Sequence, residues 1–390
     1  MDYSRFFSED TGNFMRSPVR EIFKKVDLAA IYSFAGGYPS AATFPTDKIA
    51  KLAADVLEKY GAKALQYGAT QGVPELREAL SKRYDIPVEY VQITSSSQQG
   101  IDVCTRVLCD PGDVILTSNP TYLGAIQSFR SYRAEIVGID LTPSFEAAKK
   151  RIETIQALVD EGKKIKFFYA IPDFQNPSGE TMNPGQRGEL VALARQFDFL
   201  IVEDCPYREL RYEGTPVGTI FSLAPERTIH LGSFSKIFAP GFRLGWMVAA
   251  PEILDMVYVC KQSLDLCPPV MDQYMAAEFL SSGELDRNLE KSIELYRGKR
   301  DHLLGLLEKY MPEGVSWTHP EGGLFLFVTL PENIDTVALY DKALAAGVAY
   351  VAGSFFYVDG SHRNTMRLNF SFLDTERMEE GIKILASILK

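Results

Sequence analysis

Lys236 stands in the segment SFSKIFAPGFRLGW, flanked by hydroxyls at Ser233 and Ser235 and followed by the guanidinium of Arg243. A lysine amine attacks carbonyl carbon once its proton is lost, so a lysine beside an anion-binding cluster is a candidate for covalent chemistry. Four other segments carry reactive groups. They are Ser97 and Gln98 in ITSSSQQG, Tyr122 in NPTYLG, Asn176 in IPDFQNPSG, and Asp204 with Tyr207 in VEDCPYREL. Singly, each has an ordinary structural use: a packed loop tyrosine, an Asn-Pro turn, a helix cap, a solvated lysine.

Together they supply an aromatic face, a buried acid, hydroxyl and amide donors, a nucleophilic amine and an anion site. That set meets the needs of one cofactor, pyridoxal 5'-phosphate. Its aldehyde needs a lysine for a Schiff base, and its pyridine nitrogen needs a carboxylate that keeps it protonated. Its ring oxygen needs donors, and its phosphate needs a helix N-terminus.

The elements that must position these groups read as follows. Short apolar runs predict buried strands at Asp113–Thr117, Ile165–Ala170, Phe199–Glu203 and Thr228–Leu231, each ending in a polar loop that holds candidate residues. A helix is predicted after Pro45, capped by Thr46, with Ile49, Leu52 and Val56 on one face and Gly61 at its end. A second helix follows Ser97. Strands alternating with helices predict an α/β fold with a mostly parallel sheet, in which ligands sit at the carboxyl ends of the strands. From about residue 283 the pattern changes to a long helix (Glu284–Tyr310), the strand PEGGLFLFVTL, a strand at Thr365–Ser371 and a closing helix. The expected division is an N-terminal arm (1–45) packing with the small domain, a large domain (46–282) and a smaller α+β domain (283–390).

Composition narrows the function classes. The chain has 390 residues with 41 Lys plus Arg against 51 Asp plus Glu, a net charge of -10, which argues against nucleic acid or an anionic membrane as partner. The five cysteines form no Cys-x-x-Cys pair and the four histidines are scattered, so neither a disulfide framework nor a metal site is expected. The first twenty residues mix charges, which does not read as a signal peptide, and no apolar run is long enough for a membrane span. A cytoplasmic enzyme is expected.

From SFAGGYPS to MRLNFSF the sequence resembles the fold-type I pyridoxal-phosphate aminotransferases of class I/II, in the branch that contains 2-aminoadipate aminotransferases. The motifs SFSKIFAPGFRLGW, FQNPSG and VEDCPYREL occur in the family's order. The resemblance implies these roles. Lys236 is the Schiff-base lysine and proton carrier, and Asp204 faces the pyridine nitrogen. Asn176 and Tyr207 donate to the ring oxygen, and Tyr122 stacks on the ring. Ser97, Gln98, Ser233, Ser235 and Arg243 form the phosphate cup. Tyr67, in LQYGATQG, reaches the phosphate of a neighbouring subunit, which implies a homodimer with shared active sites. Arg367, in MRLNFSF, takes the substrate α-carboxylate together with Asn176 and the backbone at Gly37.

The chain departs from the family pattern at Ser96, where glycine is usual, at Cys267-Pro268-Pro269, where a Thr-Ser pair is common, and at Ala352, often proline. These departures bear on pocket shape and substrate choice. Arg20, in RSPVREIF, stands where the branch has an arginine able to meet a distal carboxylate. The implied reaction moves an amino group between an L-amino acid and a 2-oxo acid. Glutamate and 2-oxoglutarate form one pair, and 2-aminoadipate or an aromatic or branched amino acid belongs to the other. A lyase or decarboxylase on the same fold remains an alternative, as does a regulator-type domain without turnover. The short stretch before the cofactor domain and the negative charge speak against the regulator.

Overall fold

The computed structural model describes residues 1–14 and 30–389. Arg20 lies outside the described residues. Thirteen strands are assigned among them. Seven form the central sheet: β2 (Val91–Thr94), β3 (Val114–Ser118), β4 (Glu135–Ile139), β5 (Ile165–Ala170), β6 (Leu200–Asp204), β7 (Thr228–Ser233) and β8 (Gly245–Val248). Their order is β2-β8-β7-β6-β5-β3-β4. β8 runs antiparallel to both neighbours, whereas β7, β6, β5, β3 and β4 are mutually parallel. Helices between the strands cover the sheet, so all its strands but the half-buried edge strand β4 are largely buried and read as mainly apolar runs. That is why β3, β5, β6 and β7 stand out in the sequence, each within two residues of its expected bounds.

A four-stranded antiparallel sheet, in the order β12-β13-β10-β9, is built from β9 (Ser316–Trp317), β10 (Phe325–Thr329), β12 (Val351–Ala352) and β13 (Thr365–Asn369). β1 (Tyr32–Ser33) pairs in parallel with β11 (Val348–Ala349), so the N-terminal strand is tied to a segment more than three hundred residues away. One apolar cluster joins the Thr46–Tyr60 and Glu284–Tyr310 helices, the second sheet and the closing helix Thr375–Leu389, through Val56, Tyr296, Leu326, Met366 and Ile382.

Two expected helix starts are corrected. The first helix begins at Thr46 itself. Pro45 occupies the cap position and no side chain caps it, because Thr46 already lies inside the helix. The second begins at Ser96, two residues earlier than read, where Ser96 adopts a left-handed backbone just past the end of β2. Asn183 and Gln186 form a reciprocal capping box at the Pro184–Gln196 helix, a start that the sequence reading did not single out.

Candidate active site

The carboxyl ends of β2, β3, β5, β6 and β7 open onto a cavity of about 970 Å³. Gly37, Ser97, Gln98, Tyr122, Asn176, Asp204, Tyr207, Ser233, Ser235, Lys236, Arg243 and Arg367 all line it. Twelve of the fourteen residues singled out in the sequence are thus gathered in one place. Arg20 is among the residues not described. Tyr67 is not part of this wall; it is 79% exposed on its own chain.

Asp204 is the last residue of β6 and is buried. Its Oδ2 accepts a hydrogen bond from the Tyr169 hydroxyl at 2.7 Å. Its Oδ1 is buried and has no hydrogen-bond partner among the described residues. Burial lifts the carboxyl to about 6, against the pull of the Tyr169 hydrogen bond and His230. Tyr169 was missed in the sequence. Its signal is a hydroxyl within the buried stretch Phe167–Ala170 of β5.

Lys236 follows β7 and donates from Nζ to the Gly37 carbonyl at 2.8 Å. Burial lowers its pKa to about 8, and Arg243 and Arg367 add like-charge repulsion. At pH 7 about a tenth of such an amine is uncharged, far more than of a free lysine, so losing its proton costs little. Ser233 Oγ accepts from the Ser235 backbone N–H at 3.1 Å, which shapes the turn that leads to the lysine.

Arg367, on β13, is buried and reaches across from the second sheet. Its Nη1 donates to Asn176 Oδ1 at 2.7 Å and its Nη2 to the Ala35 carbonyl at 2.6 Å. Nε is buried without a hydrogen-bond partner among the described residues. The guanidinium lies 4.2 Å from the Phe325 ring centroid and 5.1 Å from that of Phe356. Burial brings its pKa down to about 10, so it keeps its charge at neutral pH. Its hydrogen-bond acceptors are neutral, which leaves the cation to be balanced by an anion from outside. Tyr207 packs edge-on against Phe325 at 5.8 Å, and burial pushes its hydroxyl pKa up.

Lys236, Arg243 and Arg367 face the cavity together with the carboxyls of Asp102 and Asp204. Among the described residues none of the three cations has a carboxylate within ion-pair distance; their acceptors are neutral oxygens, so the cavity suits an anionic ligand.

Glu203, Cys205 and His230 bring possible metal-ligating atoms within 4.8 Å of one another. Their separation in sequence does not announce this. The Glu203 carboxylate is already engaged: it accepts from the backbone N–H groups of Ile220 and Phe221 and bonds to His230 Nδ1. That places it at the N-terminus of the short Ile220–Leu223 helix as an anionic cap.

Among the described residues no helix is long and apolar enough to cross a membrane. The family model for aminotransferase class I and II matches residues 34–385. The chain is 47% identical to aromatic-amino-acid aminotransferase 1 of Thermococcus litoralis, over all of this chain and 95% of the relative. Its fold matches the crystal structure of Pyrococcus horikoshii kynurenine aminotransferase with a TM-score of 0.95 at 44% identity, covering 100% of this chain and 98% of the other. It also matches the α-aminoadipate aminotransferase of Thermus thermophilus, complexed with N-(5'-phosphopyridoxyl)-L-leucine. There the TM-score is 0.91 at 34% identity, with 100% and 98% of the two chains covered.

Proposed function

This chain belongs to the aminotransferase class I and II family and is an aminotransferase, and from that premise we propose its cofactor, its residue roles and its substrates. The cofactor is pyridoxal 5'-phosphate. The observation that carries this reading is Asp204, a buried carboxylate with one oxygen unpartnered, in the cavity that also holds a low-pKa lysine and an unbalanced arginine. A buried carboxylate oxygen calls for a donor, and the protonated pyridine nitrogen is one. The residues fit the group.

When bound, the cofactor withdraws electrons from the substrate Cα and so makes its proton acidic. Asp204 holds the ring nitrogen in its protonated form. Asn176 and Tyr207 donate to the ring oxygen, and Tyr122 packs on the ring face. Ser97, Gln98, Ser233, Ser235 and Arg243 hold the phosphate. Lys236 carries the cofactor at rest and afterwards moves the proton at Cα. Arg367 binds the α-carboxylate through a two-pronged contact, and the Asn176 hydrogen bond sets the plane of its guanidinium.

Glutamate and 2-oxoglutarate are proposed as one substrate pair. For the other, an aromatic amino acid leads over 2-aminoadipate and the branched amino acids. The relatives of 47% and 44% identity are named for aromatic amino acids and kynurenine, and Tyr38, Phe325 and Phe356 line the cavity. Arg20 is the proposed contact for a distal carboxylate. The reading includes a cytoplasmic homodimer with shared sites, in which Tyr67 serves the partner's phosphate. It also includes an arm (1–45), a large domain (46–282) and a small domain (283–390), supported by the way the two main sheets fall on either side of residue 283.

The test is optical. Purified protein given pyridoxal phosphate is expected to develop a visible band. Amino acids added without oxo acid should bleach it, aromatic ones and glutamate fastest, and 2-oxoglutarate should restore it. Lys236→Ala should show no turnover. A band that no amino acid bleaches, or products other than an oxo acid and a new amino acid, would overturn the reading in favour of a lyase.

A further inference from the structure

Ser96 is the first residue of the thirteen-residue Ser96–Leu108 helix, is 3% exposed and lines the cavity. Its φ is +70°, in the left-handed region where a side chain is disfavoured and glycine is at ease. A serine held there persists only if its surroundings enforce the conformation, and such strain gathers where a side chain has work to do. The surroundings are visible. Thr94 Oγ1 donates to the Ser96 carbonyl at 3.0 Å. The β8 backbone presses so close that a Cβ on Gly245 would fall 2.8 Å from Ser96 Cα.

The side chain itself has one partner. Ser96 Oγ accepts a hydrogen bond from Arg243 Nη2 at 2.6 Å. Arg243 is also left-handed, at φ +51°, and ends the Pro240–Phe242 turn, with Nη1 donating to the Pro240 carbonyl at 3.3 Å. Arg243 is exposed at the cavity rim, where an arginine held by nothing else would sample many rotamers. The hydroxyl uses a lone pair for Arg243. Its own proton has no acceptor among the described residues, and it sits beside Ser97 and Gln98 at the helix start.

We infer that Ser96 is a further residue of the anion site: it fixes the Arg243 guanidinium and offers its own hydroxyl proton to a phosphate oxygen. The strained serine is kept because glycine, although easier for the backbone, has neither group. This inference rests on the cofactor reading above.

Removing the phosphate from the ligand isolates the effect. Protein stripped of cofactor is titrated with pyridoxal phosphate and with pyridoxal, for the parent, Ser96→Gly and Ser96→Ala. The parent is expected to prefer the phosphorylated ligand. Both variants should lose about tenfold in affinity for pyridoxal phosphate, the size of one hydrogen bond to a charged group, with pyridoxal binding unchanged. Ser96→Gly should melt at or above the parent temperature, which separates the loss from misfolding. Full pyridoxal phosphate affinity in Ser96→Gly would overturn the inference, as would equal weakening toward both ligands, which would mean the turn had only been reshaped. A parent that binds no pyridoxal phosphate would overturn the cofactor reading and this inference with it.

Discussion

Asp204 and Arg367 are charged groups buried at a cost to folding, and each is predicted to trade stability for ligand binding. Asp204 titrates at about 6 in the folded chain against 3.8 in water. The folded state therefore holds this proton more tightly than the unfolded one. The stability linked to it is complete below about 4 and is lost as pH rises through 6. At pH 7 the carboxylate is a burden on the cofactor-free protein. Asp204→Asn is expected to be more stable there by on the order of 2–3 kcal/mol, from about 1.4 kcal/mol per pH unit, while losing turnover. Thermal melting of both cofactor-free proteins at pH 4 and pH 7 checks it; an equal difference at the two pH values would sink it. For Arg367→Ala, amino-acid binding should weaken by roughly 2–5 kcal/mol, the range for truncating one member of a buried charge pair. Substrate titration of the holoenzyme reads this directly. Unchanged affinity would assign the α-carboxylate to another cation.

Among the elements, the closing helix Thr375–Leu389 controls the site from a distance. Gly381 faces β1: a Cβ there would meet Phe34 Cε2 at 2.7 Å and Tyr32 Cβ at 2.8 Å. Phe34 is fully buried and cannot yield. The residues that follow it place the Ala35 carbonyl on Arg367 and the Gly37 carbonyl on Lys236. Gly381→Ala is thus expected to destabilise by about 1–3 kcal/mol through overpacking, less a few tenths returned by better helix propensity. Its KM for the amino acid should rise more than its kcat falls. Melting and steady-state kinetics test the two halves separately, and a variant as stable as the parent would show that the helix and β1 are not tightly packed. The close fit also explains a limit of sequence reading. The apolar stripe of Met378, Ile382 and Leu385 marks the buried face of the helix, yet nothing in it says that its partner is a strand at the opposite end of the chain.

At the scale of the whole molecule, the expected state is a homodimer. Tyr67, which the proposed arrangement places at the partner's phosphate, is 79% exposed on its own chain. Light scattering should give twice the 43.6 kDa chain mass, and Tyr67→Ala should weaken pyridoxal phosphate binding without unfolding the chain; a monomer that binds the cofactor at full affinity would refute shared sites. Much of this was legible in one dimension. Buried parallel strands are short and apolar because both faces are covered, so β3, β5, β6 and β7 declared themselves. Reactive groups just past their ends marked Tyr122, Asn176, Asp204 and Lys236 as neighbours before any coordinates, since the sheet topology brings strand ends together. Other features were decided by the tertiary structure alone. The Ala35 carbonyl accepts from Arg367 across 332 residues, Tyr169 turns a core strand into a support for Asp204, and Ser96 takes a left-handed backbone. The physical reason is that local pattern reports which face of an element is buried, whereas a hydrogen bond between distant side chains and a strained φ arise only when packed elements fix each other in place.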